Sequence, residues 1–186
     1  MDGKIPDKSS VGVTLIELMI VLVILGCTFF LVFPSMRNSL QTTRVQAEAS
    51  RLMTAINLVR SEALRRNLPV TMCPSPAATT GERVCAGIYA EGWMIFTNRD
   101  KDLVLDEEDE LIRVFEESPS GFTVTNRAGT RHAKEKITYM PDGTSGRNRT
   151  LLICPPPGQR AGAKSVVMNI VGRPRIATDW GVCPDR

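Results

Sequence analysis

Histidine is almost missing from this chain. His132 is the only one, and it stands among basic residues with no partner motif. That takes away the usual general base and the commonest metal ligand. No Gly-rich phosphate loop and no Gly-x-Ser-x-Gly elbow occurs, so nucleotide and acyl-transfer chemistry lack their usual frames. The five cysteines show no Cys-x-x-Cys spacing, which leaves zinc short of ligands. No internal repeat is present. Neither catalysis nor a cofactor is expected from these residues.

What the chain does have is one long apolar run. Residues 13–33 carry a single charge, Glu17. That length is enough to span a bilayer as a helix. The polar leader, residues 1–12, ends in Gly12 and precedes the apolar run. An ordinary secretory signal puts its apolar core before the cleavage site. A cut after Gly12 would therefore leave the membrane segment on the mature protein. The alternative on physical grounds is an uncleaved N-terminal anchor. Glu17 is costly at the edge of hydrocarbon and gains from a positive partner.

Gly12-Val13-Thr14-Leu15-Ile16-Glu17-Leu18 resembles the prepilin-peptidase site of type IV pilins and type II secretion pseudopilins. The resemblance implies cleavage after Gly12 and N-methylation of Val13, where Phe is usual. It also implies that Glu17 pairs with the free amine at Val13 of a neighbouring subunit. Pro34 matches a family proline where the helix can melt during filament assembly. The expected partners are other pilins, the prepilin peptidase and the inner membrane. The head would face the periplasm on a single-pass anchor.

Helical periodicity continues beyond the anchor. Val45, Ala49, Leu52, Ile56, Val59 and Ala63 recur in steps of four and three, which places them on one side of a helix. Arginines supply the polar positions. Leu68-Pro69 ends the pattern, because proline disfavours helix at the preceding residue. Pro34 should kink or loosen the helix. From residue 69 the signals become short strands and turns. Strands are expected over residues 70–73, 87–97, 111–115, 122–124, 137–140, 150–154, 165–170 and 175–178. The fold class is α+β: a long N-terminal helix packed on a β-rich head. The parts are a leader (1–12), an anchor and filament core (13–34), an amphipathic half-helix (35–68) and the head (69–186).

The head holds Cys73, Cys85, Cys154 and Cys183, while Cys27 sits in the apolar run as a small lipid-facing or packing residue. An oxidising periplasm favours disulfides. Cys73 with Cys85 would close a short loop, and Cys154 with Cys183 would tie down the C-terminal tail. Sequence alone leaves all three pairings open.

Charge is uneven although the net is only +3. Residues 91–117 hold ten acids and three bases, and residues 120–186 hold eleven bases and four acids. These segments either pair with each other or lie on different faces. Asp100, Asp102, Asp106 and Glu108 offer oxygens of the kind calcium takes, without a central glycine. The bland alternative is a solvated loop between strands.

Glu91-Gly92-Trp93-Met94-Ile95-Phe96-Thr97-Asn98-Arg99-Asp100 is similar to the Trp-centred strand of GspH/FimT-type minor pilins and pseudopilins. Tyr139-Met140-Pro141-Asp142-Gly143 and Gly172-Arg173 fit the same family. In FimT-like pilins a C-terminal Gly-Arg-x-Arg motif binds DNA, and Gly172-Arg173-Pro174-Arg175 matches it. The resemblance implies a filament subunit near the tip, in a pilus or a secretion pseudopilus, with a DNA-binding minor pilin acting in DNA uptake as the alternative. Arg147, Arg149, Arg160 and Lys164 are candidates to extend a phosphate-binding patch. The competing reading is a hairpin turn with solvated arginines. In such a bacterial protein the Asn148-Arg149-Thr150 sequon is discounted.

Overall fold

The computed structural model describes residues 12–158 and 162–184, with the side chains of residues 30–38 outside the described set. The leader up to residue 11, and Arg160, therefore lie outside the described residues. Two compact units divide the chain, residues 1–37 and residues 38–186.

A single long helix, α1 (Leu15–Arg66), opens the described chain. Thr14 caps it: its hydroxyl accepts the backbone N–H of Glu17 at 3.3 Å. Glu17 thus sits in the first turn and Arg65 and Arg66 in the last, the signs that suit a helix dipole. Asn67 adopts φ 52° just past the end, a left-handed stop that asparagine tolerates, and Pro69 follows two residues later. Helical backbone continues through Pro34, while the expectation of a kink there lies outside the described side chains.

In the first unit, Leu15, Ile16, Leu18 and Phe29 are all more than half exposed. Among the described residues no helix is long and apolar enough to cross a membrane. Within the apolar run the described side chains stop at Phe29, short of the 21 residues read in the sequence.

The second unit holds the head. Its strands are β1 (Val70–Pro74), β2 (Trp93–Thr97), β3 (Leu111–Phe115), β4 (Thr123–Thr125), β5 (Ile137–Tyr139), β6 (Arg149–Cys154), β7 (Lys164–Met168) and β8 (Pro174–Thr178). They form two four-stranded sheets, β3-β2-β1-β5 and β4-β6-β7-β8, with every named pair antiparallel. The Val45 to Ala63 stripe of α1 is fully buried. It shares one core with Met72, Trp93, Ile95 and Tyr139 of the first sheet and Leu151, Ile153 and Val166 of the second. This burial is what a helical apolar stripe requires.

Two disulfides seal the far sides of the sheets. Cys73 bonds to Cys85 and Cys154 to Cys183. Cys73 packs with Met94 and Phe96, covered by Leu105 and Leu111, and Cys154 and Cys183 pack with Leu152. Both faces of β2 are buried as a result, which accounts for its uninterrupted apolar run.

The structure corrects several expectations. The stretch before Trp93 is not strand. Tyr89–Glu91 forms a 3-10 turn, tied by Glu91 Oε2 accepting the Ile88 N–H at 3.1 Å. Gly92 then turns the chain at φ 108°, where a Cβ would lie 2.7 Å from the Phe115 carbonyl oxygen. A short helix, α2 (Ala77–Thr80), occupies part of the loop closed by the first disulfide. Strand β7 stops at Met168 because Gly172 N–H donates to the Asn169 carbonyl in a turn. Pro174 opens the edge strand β8, where its missing donor costs nothing.

Candidate functional site

Around the Gly172-Arg173-Pro174-Arg175 turn the structure builds a groove of about 930 Å³. Register places Met168 of β7 between Arg149 of β6 and Pro174 of β8, with Val167 opposite Arg175. The turn itself is held from several sides. Gly172 has φ 78°. Its carbonyl accepts the buried Tyr139 hydroxyl at 3.0 Å. Asn169 Oδ1 accepts the Arg173 N–H at 3.0 Å, and Asn148 Oδ1 accepts the Ile170 N–H at 2.8 Å. Ser145 Oγ donates to the Asn169 carbonyl at 2.9 Å. A donor fork on such a fixed backbone loses little freedom when it meets an anion.

Arg147, Arg149, Arg173 and Arg175 all line this groove. Arg147, Arg173 and Arg175 are exposed and Arg149 is half-buried. Among the described residues none of the four forms an ion pair with a carboxylate. The Nε of Arg149 is buried without a hydrogen-bond partner. Lys164 does not belong here. It stands at the opposite end of β7, where it donates to Thr178 Oγ1, because the rest of the strand, residues 165–168, separates it from the turn.

The structure adds Arg127, Arg131 and Trp180 to the groove. No sequence spacing announces them. They arrive because the C-terminal segment folds back on the 126–131 turn, with Val182 N–H donating to the Arg127 carbonyl at 3.1 Å. Arg131 is paired with Glu135 at 3.3 Å.

The acidic and basic segments do not neutralise each other through ion pairs among the described residues. Glu110 instead pairs with Arg66 of α1, and Arg66 Nε also meets Glu62 Oε2 at 2.6 Å. Hydrogen bonds from Arg65 and Arg66 hold Glu62 below the usual carboxylate range, and Arg66 does the same for Glu110.

Asp100, Asp102 and Asp106 each bring an oxygen within 4.8 Å of the others, all exposed. Asp100, Asp102 and Asp106 also each accept the backbone N–H two residues on. That is how short acidic side chains cap turns without an ion. His132 is exposed and lines a second groove of about 780 Å³ with no carboxylate in its wall among the described residues, and the Glu135 that shares a smaller pocket with it is paired with Arg131. Nothing there orients it as a base.

A long N-terminal helix, apolar and exposed over residues 15–29 and burying its Val45 to Ala63 stripe in a β-rich head, defines a pilin-type subunit. A family model described as "Type II transport protein GspH" matches residues 48–172, 125 of the 186 residues. The chain belongs to this family of GspH/FimT-type minor pilins and pseudopilins. Arg173, Arg175 and Trp180 lie past the end of the matched segment. The fold is similar to that of the type IV minor pilin FimU of Pseudomonas aeruginosa (17% identity, 75% of this chain and 95% of that one, TM-score 0.53). It is also similar to the minor pseudopilin EpsH from the Type 2 Secretion System of Vibrio cholerae (11% identity, 73% and 97%, TM-score 0.51). No curated protein matches the sequence.

Proposed function

We propose that the chain is cut after Gly12 by prepilin peptidase and held in the inner membrane by residues 13–34, with its head in the periplasm. It is then built into a type IV pilus or a secretion pseudopilus beside other pilins. The observation that carries this reading is the exposed apolar surface of α1 over residues 15–29. Such a surface needs lipid before assembly and neighbouring helices after it. Glu17 sits one turn from the new N-terminus at Val13 and is the acid to meet a neighbour's free amine. Sheared filaments test this directly. A Glu17→Leu variant is expected to be processed normally yet to be missing from the filament fraction. Incorporation at the wild-type level would remove the role given to Glu17.

A second reading is favoured by the arginine groove: this subunit grips DNA during uptake. Arg173 and Arg175 line one groove with Arg147 and Arg149, and its one carboxylate among the described residues, Glu135, is paired with Arg131. Phosphate contacts of this kind give salt-sensitive, sequence-independent affinity. A place near the filament tip leaves the groove open to its ligand. Duplex DNA at low salt is expected to bind the wild-type chain and not a variant carrying Arg173→Glu and Arg175→Glu. Equal binding by both would end the reading through this motif.

A further inference from the structure

The Gly-Arg-x-Arg turn forms only one side of the groove. The other side is the 126–131 turn, which carries Arg127. Its guanidinium carbon lies 4.1 Å from the centroid of the Trp180 ring, and that of Arg175 lies 5.8 Å from the same ring. Two arginines from segments 48 residues apart thus converge on one indole. Their like charges repel, and the negative face of an indole offsets that repulsion. A guanidinium lying flat on an aromatic face keeps its N–H edge free for an anion.

Both supports are themselves fixed. Ser165 Oγ donates to the Trp180 carbonyl at 2.6 Å. Asn126 Oδ1 accepts the Thr130 N–H at 3.0 Å inside the turn. The bond from Val182 to the Arg127 carbonyl clips the two segments together. Cys183, next in the chain, is anchored to Cys154 of β6.

We infer that Trp180 and Arg127 are a positioning residue and a phosphate contact that complete the DNA site, making the groove a two-sided clamp on the phosphodiester backbone. This rests on the DNA reading above and specifies its ligand. Trp180 is the one aromatic side chain lining the groove among the described residues, and it carries a guanidinium on its face. It therefore serves as an arginine platform rather than a base-stacking platform. The ligand is duplex backbone, read without regard to sequence. Arg127, Arg147, Arg149, Arg173 and Arg175 are the unpaired cations of the clamp among the described residues. If each neutralises one phosphate, the slope of log affinity against log salt is about −4.5.

The test is fluorescence anisotropy of the full chain in nonionic detergent, with two short labelled duplexes of unrelated sequence across a salt series. Arg127→Gln should bring the slope about 0.9 closer to zero, equally for both duplexes. Trp180→Ala should weaken binding about two- to fivefold, and Trp180→Phe should restore most of it. In the Trp180→Ala background, Arg127→Gln should cost less than in the wild type, because the platform is already gone. Trp180 is 38% exposed, and circular dichroism checks that its variants are folded. If Arg127→Gln and Trp180→Ala bind like wild type while Arg173→Gln with Arg175→Gln does not, the second wall is refuted and the motif reading stands. If the Arg173 and Arg175 variant also binds like wild type, both fail. Affinities that differ strongly between the duplexes refute backbone readout.

Discussion

Gly172 couples the arginine turn to the head, and replacing it by alanine should cost far more than a methyl group suggests. At φ 78° the left-handed conformation disfavours any residue with a Cβ, a cost of about 1–2 kcal/mol. The added Cβ would also run into the Gly143 carbonyl oxygen and lie 2.7 Å from Tyr139 Cε1. Gly143 is backbone in a turn, and Tyr139 is fully buried and bonded through its hydroxyl to Gly172. Neither neighbour can step aside cheaply, so the total is about 3–4 kcal/mol. Gly146 is the control, with φ 69° and nothing within 4 Å of its virtual Cβ. Its alanine variant should show the conformational cost alone. For a chain of this size 1 kcal/mol moves Tm by about 2–4 °C. Gly172→Ala should therefore melt about 4–8 °C below Gly146→Ala, followed by far-UV circular dichroism under oxidising conditions. Equal melting temperatures would refute the clash and with it the rigid seating of the turn.

Acidification should destabilise the head. Glu62, Glu110 and Asp142 are held below their ordinary values, the last by hydrogen bonds from Thr144. Their contribution is complete above the unfolded-state values near 4–4.5 and is lost as pH falls through the lower folded-state values. Tm should thus drop on going below about pH 4.5, and Glu62→Gln with Glu110→Gln should flatten the drop; an unchanged profile would contradict the pairing with Arg66. At the alkaline end, burial pushes Tyr139 up to about 12 and Tyr89 higher still. These are the chain's two tyrosines, so tyrosinate absorbance should show no step near pH 10 while the head is folded. An immediate step there would mean that one ring is open to solvent. Replacing Cys73 and Cys85 by serine should cost about 3 kcal/mol for the 12-residue separation, and Cys154 with Cys183 somewhat more for 29 residues. Chemical denaturation measures both, and losses below about 1 kcal/mol would place the constraint elsewhere.

How much was legible in the sequence followed from how local each signal is. The Val45 to Ala63 stripe declares itself because every member faces the same partner layer, and α1 buries all of it. Strands bounded by Pro and Gly were readable for the same reason. The stretch before Trp93 reads as strand in the sequence because its residues are apolar, whereas Gly87 and Gly92 at positive φ and the Glu91 side chain turn the backbone. The site was half legible. Arg173, Arg175, Arg147 and Arg149 announce a basic turn by composition. Arg127 and Trp180 do not, because they meet only through the fold-back of residues 181–183 onto the 126–131 turn. Charge alone puts Lys164 with them, and the length of β7 separates it. Thr14 and Glu17 hid a helix start inside the processing motif.

In a processed filament subunit the exposed apolar part of α1 would lie at the new N-terminus left by cleavage after Gly12. Intact-mass analysis of the membrane-extracted protein, from a host carrying prepilin peptidase, tests it most directly. The expected product is a mature chain that begins at methylated Val13. A chain still beginning at Met1 would contradict it.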